Sequence, residues 1–121
     1  MSCDVAKFTI TKGLDNTFIF TIKADGSTLP MEITVGSDTF TAHLINLETG
    51  VTALTKALTI TDSLSGKTQL VVTSAETTTL VSDKSTKADR YYLRPTYKLI
   101  IDCSTVNNGD FIAKVPEVYV D

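Results

Sequence analysis

The feature that most constrains this chain is a period of two. Between Thr17 and Lys23, the residues Phe18, Phe20 and Ile22 fall on one face, with Thr17, Thr21 and Lys23 on the other. Thr39 to Leu47 repeats the pattern, with Phe40, Ala42 and Leu44 against Thr39, Thr41 and His43. Leu70 and Val72 alternate within Lys67–Thr73. Tyr97, Leu99 and Ile101 face away from Lys98 and Asp102, and Phe111, Ala113 and Val115 from Ile112 and Lys114. A looser alternation runs from Val5 to Thr11. Successive side chains of a strand point to opposite faces, so each run describes a strand with one face buried.

Turn residues punctuate the runs. Gly13, Gly26, Gly36, Gly50, Gly66 and Gly109 each lie within two residues of Asn, Asp, Ser or Thr between two alternating stretches. Such clusters supply the positive φ of tight turns. About one residue in six is Thr, which loses side-chain freedom in a helix and suits a half-buried sheet. Short strands so separated predict an all-β sandwich of about seven antiparallel strands. Its core should hold Phe18, Phe20, Ile22, Phe40, Leu44, Leu70, Val72, Tyr97, Leu99, Ile101 and Phe111. The 121 residues give length for one domain, 1–121.

One stretch departs from the alternation. Ser74 to Val81 predicts one or two helical turns, with Ser74 as N-cap and Glu76 at the positive end of the helix. Ser82 to Arg94 follows, polar and charged. It exceeds the usual two to about five residues of a hairpin connection and reads as a surface excursion with a role in contacts. Its Lys84, Lys87, Arg90, Tyr91, Tyr92 and Arg94 are the candidate partner contacts, because tyrosine and arginine are favoured at interfaces. The terminal segments Met1–Val5 and Val115–Asp121 are apolar enough to add to a neighbour's sheet edge.

Composition narrows function mainly by exclusion. Eleven basic residues against 14 acidic ones leave a net charge of −3, contrary to the basic excess of a nucleic-acid binder. No apolar run approaches the ~20 residues of a spanning helix, so no membrane partner is expected. The N-terminal residues lack the pattern of a secretion signal, which predicts a protein that stays in the cytoplasm where it is made. In that compartment Cys3 and Cys103 are expected as reduced thiols, although a disulfide between terminal strands stays open.

Catalytic signatures are lacking. His43 is the one histidine, placed on a polar strand face as a solvated side chain. There is no nucleophile elbow, no Cys-x-x-Cys and no zinc-binding helix motif. Ser65-Gly66-Lys67-Thr68 matches the end of a phosphate-binding loop, but Thr61 stands where its first Gly belongs and a strand follows where a helix is needed. The expectation is a non-enzyme without cofactor or metal.

In chain order the landmarks resemble a known family. They are Lys12-Gly13 before a strand of alternating aromatics, the Asp25-Gly26 turn, the strand from Phe40 to Leu47, and the turn from Thr61-Asp62 to Gly66 leading into Leu-Val-Val. A short Ser-Ala-Glu-Thr helix, a strand with Tyr97 and a closing Val118-x-Val120 strand complete the series. Residues 7 to 120 resemble the immunoglobulin-like N-terminal domain of upper-baseplate and tail-fibre proteins of tailed bacteriophages. The resemblance implies an immunoglobulin-like sandwich and an architectural role. The chain would dock or align other virion structural proteins, act in multiple copies of itself, and reside in a virion assembled in the host cytoplasm. Two other readings remain, a capsid decoration (cement) protein, and a bacterial surface adhesin or carbohydrate-binding module using Tyr91 and Tyr92.

Overall fold

The computed structural model describes residues 7–23, 32–81, 96–106 and 109–120, together with the backbone of residues 2–3. Its strands are β1 (Ser2–Cys3), β2 (Lys7–Ile10), β3 (Asn16–Lys23), β4 (Thr39–Asn46), β5 (Thr52–Ala57), β6 (Thr59–Asp62), β7 (Lys67–Val72), β8 (Tyr97–Thr105) and β9 (Gly109–Val120). One short helix, α1 (Ser74–Thr77), lies between β7 and β8.

The strands form two sheets packed face to face, one of order β1-β3-β7-β6 and one of order β2-β9-β8-β4-β5. The pairings are antiparallel except β2 with β9, which run parallel from Lys7↔Glu117 to Ile10↔Val120. The molecule is an all-β sandwich, as the alternation predicts.

The inner faces are the predicted apolar faces. Phe20 and Ile22 of β3 and Leu70 and Val72 of β7 meet Phe40 and Leu44 of β4 and Leu99 and Ile101 of β8, all buried. Phe18 and Phe111 belong to the predicted core but sit at its margin, partly buried. Phe18 stacks at a tilt on Phe8, with ring centroids 4.3 Å apart. A threonine, Thr68, is also fully buried, and its hydroxyl donates to the Phe20 carbonyl at 3.3 Å. That bond offsets the cost of removing the hydroxyl from water.

Three expectations need correction. Nine strands appear among the described residues where about seven were expected. The first strand is divided between the two sheets as β1 and β2, and Thr52–Asp62, which lacks a clean alternation, holds β5 and β6. The helix is a single turn, within the one or two expected, but its N-cap is Thr73 rather than Ser74. The Thr73 hydroxyl accepts from the Glu76 N–H while the Glu76 carboxylate accepts from the Thr73 N–H, a reciprocal capping box. The Ser74 N–H is instead taken by the Asp15 carboxylate at 2.7 Å. Finally, Val115–Val120 is not available to another subunit's sheet. It lies between β2 and β8, and Val115, Val118 and Val120 fill this chain's own core.

The Ser65–Thr68 motif is a hairpin turn. Gly66 has φ 66°, and β7 starts at the next residue. Cys103 is buried on β8, while the pairing state of Cys3 lies outside the described residues. No helix among the described residues is long and apolar enough to cross a membrane.

Candidate functional site

The predicted contact residues Lys84, Lys87, Arg90, Tyr91, Tyr92 and Arg94 lie outside the described residues. Their flanks are well defined. The Val81 N–H donates to the Tyr97 hydroxyl at 2.8 Å, and the Leu47 N–H donates to the Thr96 carbonyl at 2.9 Å. The Tyr97 side chain therefore ties Val81 to the end of the sandwich where β8 begins.

Toward the other end, strand pairing builds a polar face. On the outer side of the five-stranded sheet, register sets Thr41 opposite Asp102 and Asp102 opposite Ile112, and Thr39 opposite Ser104 and Ser104 opposite Asp110. These six residues line a shallow cleft of about 620 Å³. Asp102 is anchored from one side, because His43 Nε2 donates to its Oδ2 at 2.8 Å. On its other side, His43 Nδ1 lies 3.2 Å from the Thr55 hydroxyl.

This hydroxyl–imidazole–carboxylate row has the order of a nucleophilic relay, and the alternation alone gave no sign of it. Spacing along one strand cannot show it, since Thr55, His43 and Asp102 come from β5, β4 and β8. The cross-strand register creates it. For catalysis it would also need paired donors aimed at a developing oxyanion. The backbone groups of β4 and β8 are engaged in ladders on both sides, and the row stands on an open sheet face. The arrangement fixes Asp102 on the sheet face. No group of three or more potential metal ligands occurs among the described residues.

A comparison with models of known protein families finds no match, and a comparison with curated protein sequences finds none. The functional reading therefore rests on fold and surface chemistry.

The remaining charged contact is structural. Lys56 Nζ lies 2.8 Å from the Glu76 carboxylate, joining edge strand β5 to the helix. That hydrogen bond from Lys56, seconded by the Thr73 N–H, lowers the Glu76 pKa below its ordinary value.

Proposed function

We propose that this chain is a bacteriophage structural protein, an immunoglobulin-like assembly or docking domain of the tail, baseplate or fibre. The observation that carries the reading is the strand order. Lettered in chain order, with β1 and β2 as the two halves of strand A, the sheets become A-B-E-D and A′-G-F-C-C′, the division of an immunoglobulin-like sandwich. Tyr97, at the start of strand F, also bonds upstream backbone, similar to the tyrosine of that fold, although its partner Val81 lies 16 residues back where a few are usual. Both features support the family likeness drawn from the sequence landmarks.

An architectural role suits the surface. The sandwich offers exposed edge strands and a polar face, and among the described residues the Thr55–His43–Asp102 row has no backbone donors free beside it. Its partners are other virion proteins and further copies of itself, and it carries out no catalysis. Mass spectrometry of separated heads and tails from the phage encoding this chain tests the assignment. Peptides in the tail fraction are expected. Peptides confined to heads would move the protein to capsid decoration, and absence from the particle would overturn the reading.

A further inference from the structure

Strand β5 is an edge of the five-stranded sheet, and its pairing with β4 fixes which of its backbone groups face outward. The Leu58 N–H donates to the Phe40 carbonyl at 2.8 Å, one step beyond the pair Thr41↔Ala57. Opposed residues of an antiparallel pair alternate between exchanging both bonds and exchanging none. Lys56 and Leu54 therefore bond β4 at Ala42 and Leu44, while the N–H and C=O groups of Thr55 and Ala57 point away from β4. The side chains of Ala53, Thr55 and Ala57 are short, uncharged and exposed on the outer face of the sheet.

The other edges among the described strands are blunted. β1 has two residues, and β2 and β6 have four each. β2 carries the exposed Lys7, and the register of β6 shifts before Asp62. β5 has six residues and no proline. Its one charge, Lys56, points inward. An inward charge normally keeps an edge from pairing, because an added strand would bury it without a partner. Here Glu76 of the same chain already holds the ammonium at 2.8 Å, so an added strand leaves Lys56 paired.

We infer that β5 pairs antiparallel with β5 of a second copy, across a twofold axis at Thr55, so that two five-stranded sheets become one. The inference rests on the proposed role in multiple copies and names the contact between them. Charge and register select the axis. An axis at Lys56 would set two like charges directly opposite each other. One at Leu54 would place the β5 bulge, where Ala53 is the extra residue, at the centre of the contact. One at Ala57 would run past the end of the strand. With the axis at Thr55, the two Thr55 residues exchange backbone bonds and their side chains form a favourable threonine pair. Ala57 then lies opposite Ala53, and the aliphatic stem of Lys56 lies on Leu54 of the second copy. Both copies use the same surface, so the contact is isologous and closes as a dimer.

The test combines sedimentation with amide hydrogen exchange on the full-length protein over a concentration series. The dilute protein should be monomeric, with fast exchange at Thr55 and Ala57 beside protected Leu54 and Lys56. The concentrated protein should be dimeric, and exchange at Thr55 and Ala57 should slow about tenfold once nine tenths of the chains are paired. Two variants at the exposed axis position test the register. Thr55→Lys alone and Thr55→Glu alone should each stay monomeric, because each sets like charges face to face, whereas an equimolar mixture of the two should form the dimer again. A parent protein that is monomeric at every concentration would overturn the inference. So would a dimer whose Thr55 and Ala57 amides stay unprotected, or a mixture that associates no better than either variant. Slow exchange at Thr55 and Ala57 in the dilute monomer would show that the chain's own residues cover the edge, and would overturn it as well. None of these results bears on whether the protein is found in the particle, which the mass spectrometry of heads and tails decides separately.

Discussion

The Tyr97 hydroxyl accepts the Val81 backbone N–H at 2.8 Å, with the tyrosine ring itself buried at 2% exposure. One side chain thus anchors the start of β8 in the core and ties Val81 to it. Removing only the hydroxyl isolates the second role. Tyr97→Phe should cost about 0.5–1.5 kcal/mol of stability in urea unfolding, the net worth of one hydrogen bond. Faster hydrogen exchange should appear first at Val81. Unchanged exchange there would show that the bond does not hold this point together.

Asp38 is the acid at the opposite end. It is 5% exposed, and its two oxygens accept the N–H groups of Thr34 and Val106 at 2.8 and 2.9 Å. It therefore pins the turn before β4 to the end of β8. Asp38→Ala leaves both donors unpaired and should cost about 2–4 kcal/mol. Asn offers only one acceptor oxygen and should recover no more than part of that loss. A chemical-denaturation series over the three proteins checks the order.

The capping box predicts a pH dependence with a definite sign. Because Lys56 and the Thr73 N–H lower the Glu76 pKa, the folded state binds this proton less readily than the unfolded state. The contribution is therefore present above the ordinary glutamate range and is lost as pH falls through the lowered folded value. Glu76→Gln should be less stable than the parent at about pH 7, and the gap should narrow at about pH 3. Thr73→Ala, which removes the cap hydroxyl, should cost about 0.5–2 kcal/mol. Thermal melts at the two pH values measure both effects.

Phe20 is fully buried between the sheets. Truncation to Ala removes a ring from a packed interior and should cost about 3–5 kcal/mol. Ile19→Ala is its neighbour on the outer face, 45% exposed, and should cost far less. Equal losses at the two positions would mean that the inner and outer faces of β3 had been exchanged.

The sandwich was legible because alternation is a local signal. Phe18 to Ile22, Phe40 to Leu44 and Tyr97 to Ile101 each announce which face is buried without reference to the rest of the chain. The site was not legible for the opposite reason. Thr55, His43 and Asp102 are brought together by pairing between residues far apart in sequence, and each looks like an ordinary solvent-facing strand residue by itself. The same holds for the divided first strand. Nothing within Lys7–Ile10 tells that it should pair in parallel with Glu117–Val120 while Ser2–Cys3 joins the other sheet. The N-cap falls on Thr73 because Glu76 stands three residues on, the spacing of a capping box, whereas from Ser74 the third residue is Thr77. That local signal distinguishes the two hydroxyls, and the Asp15 carboxylate adds to it by taking the Ser74 N–H.

The parallel pairing of β2 with β9 also has a mechanical consequence. Two strands that run in the same direction place the beginning of one and the end of the other at opposite ends of their shared ladder. Tension drawn between the two termini would therefore pull β2 and β9 lengthwise past each other. The hydrogen bonds across Lys7–Ile10 and Glu117–Val120 would resist together, in shear, instead of peeling open one after another. In a sandwich loaded from its ends, that ladder of four residue pairs would set the breaking force.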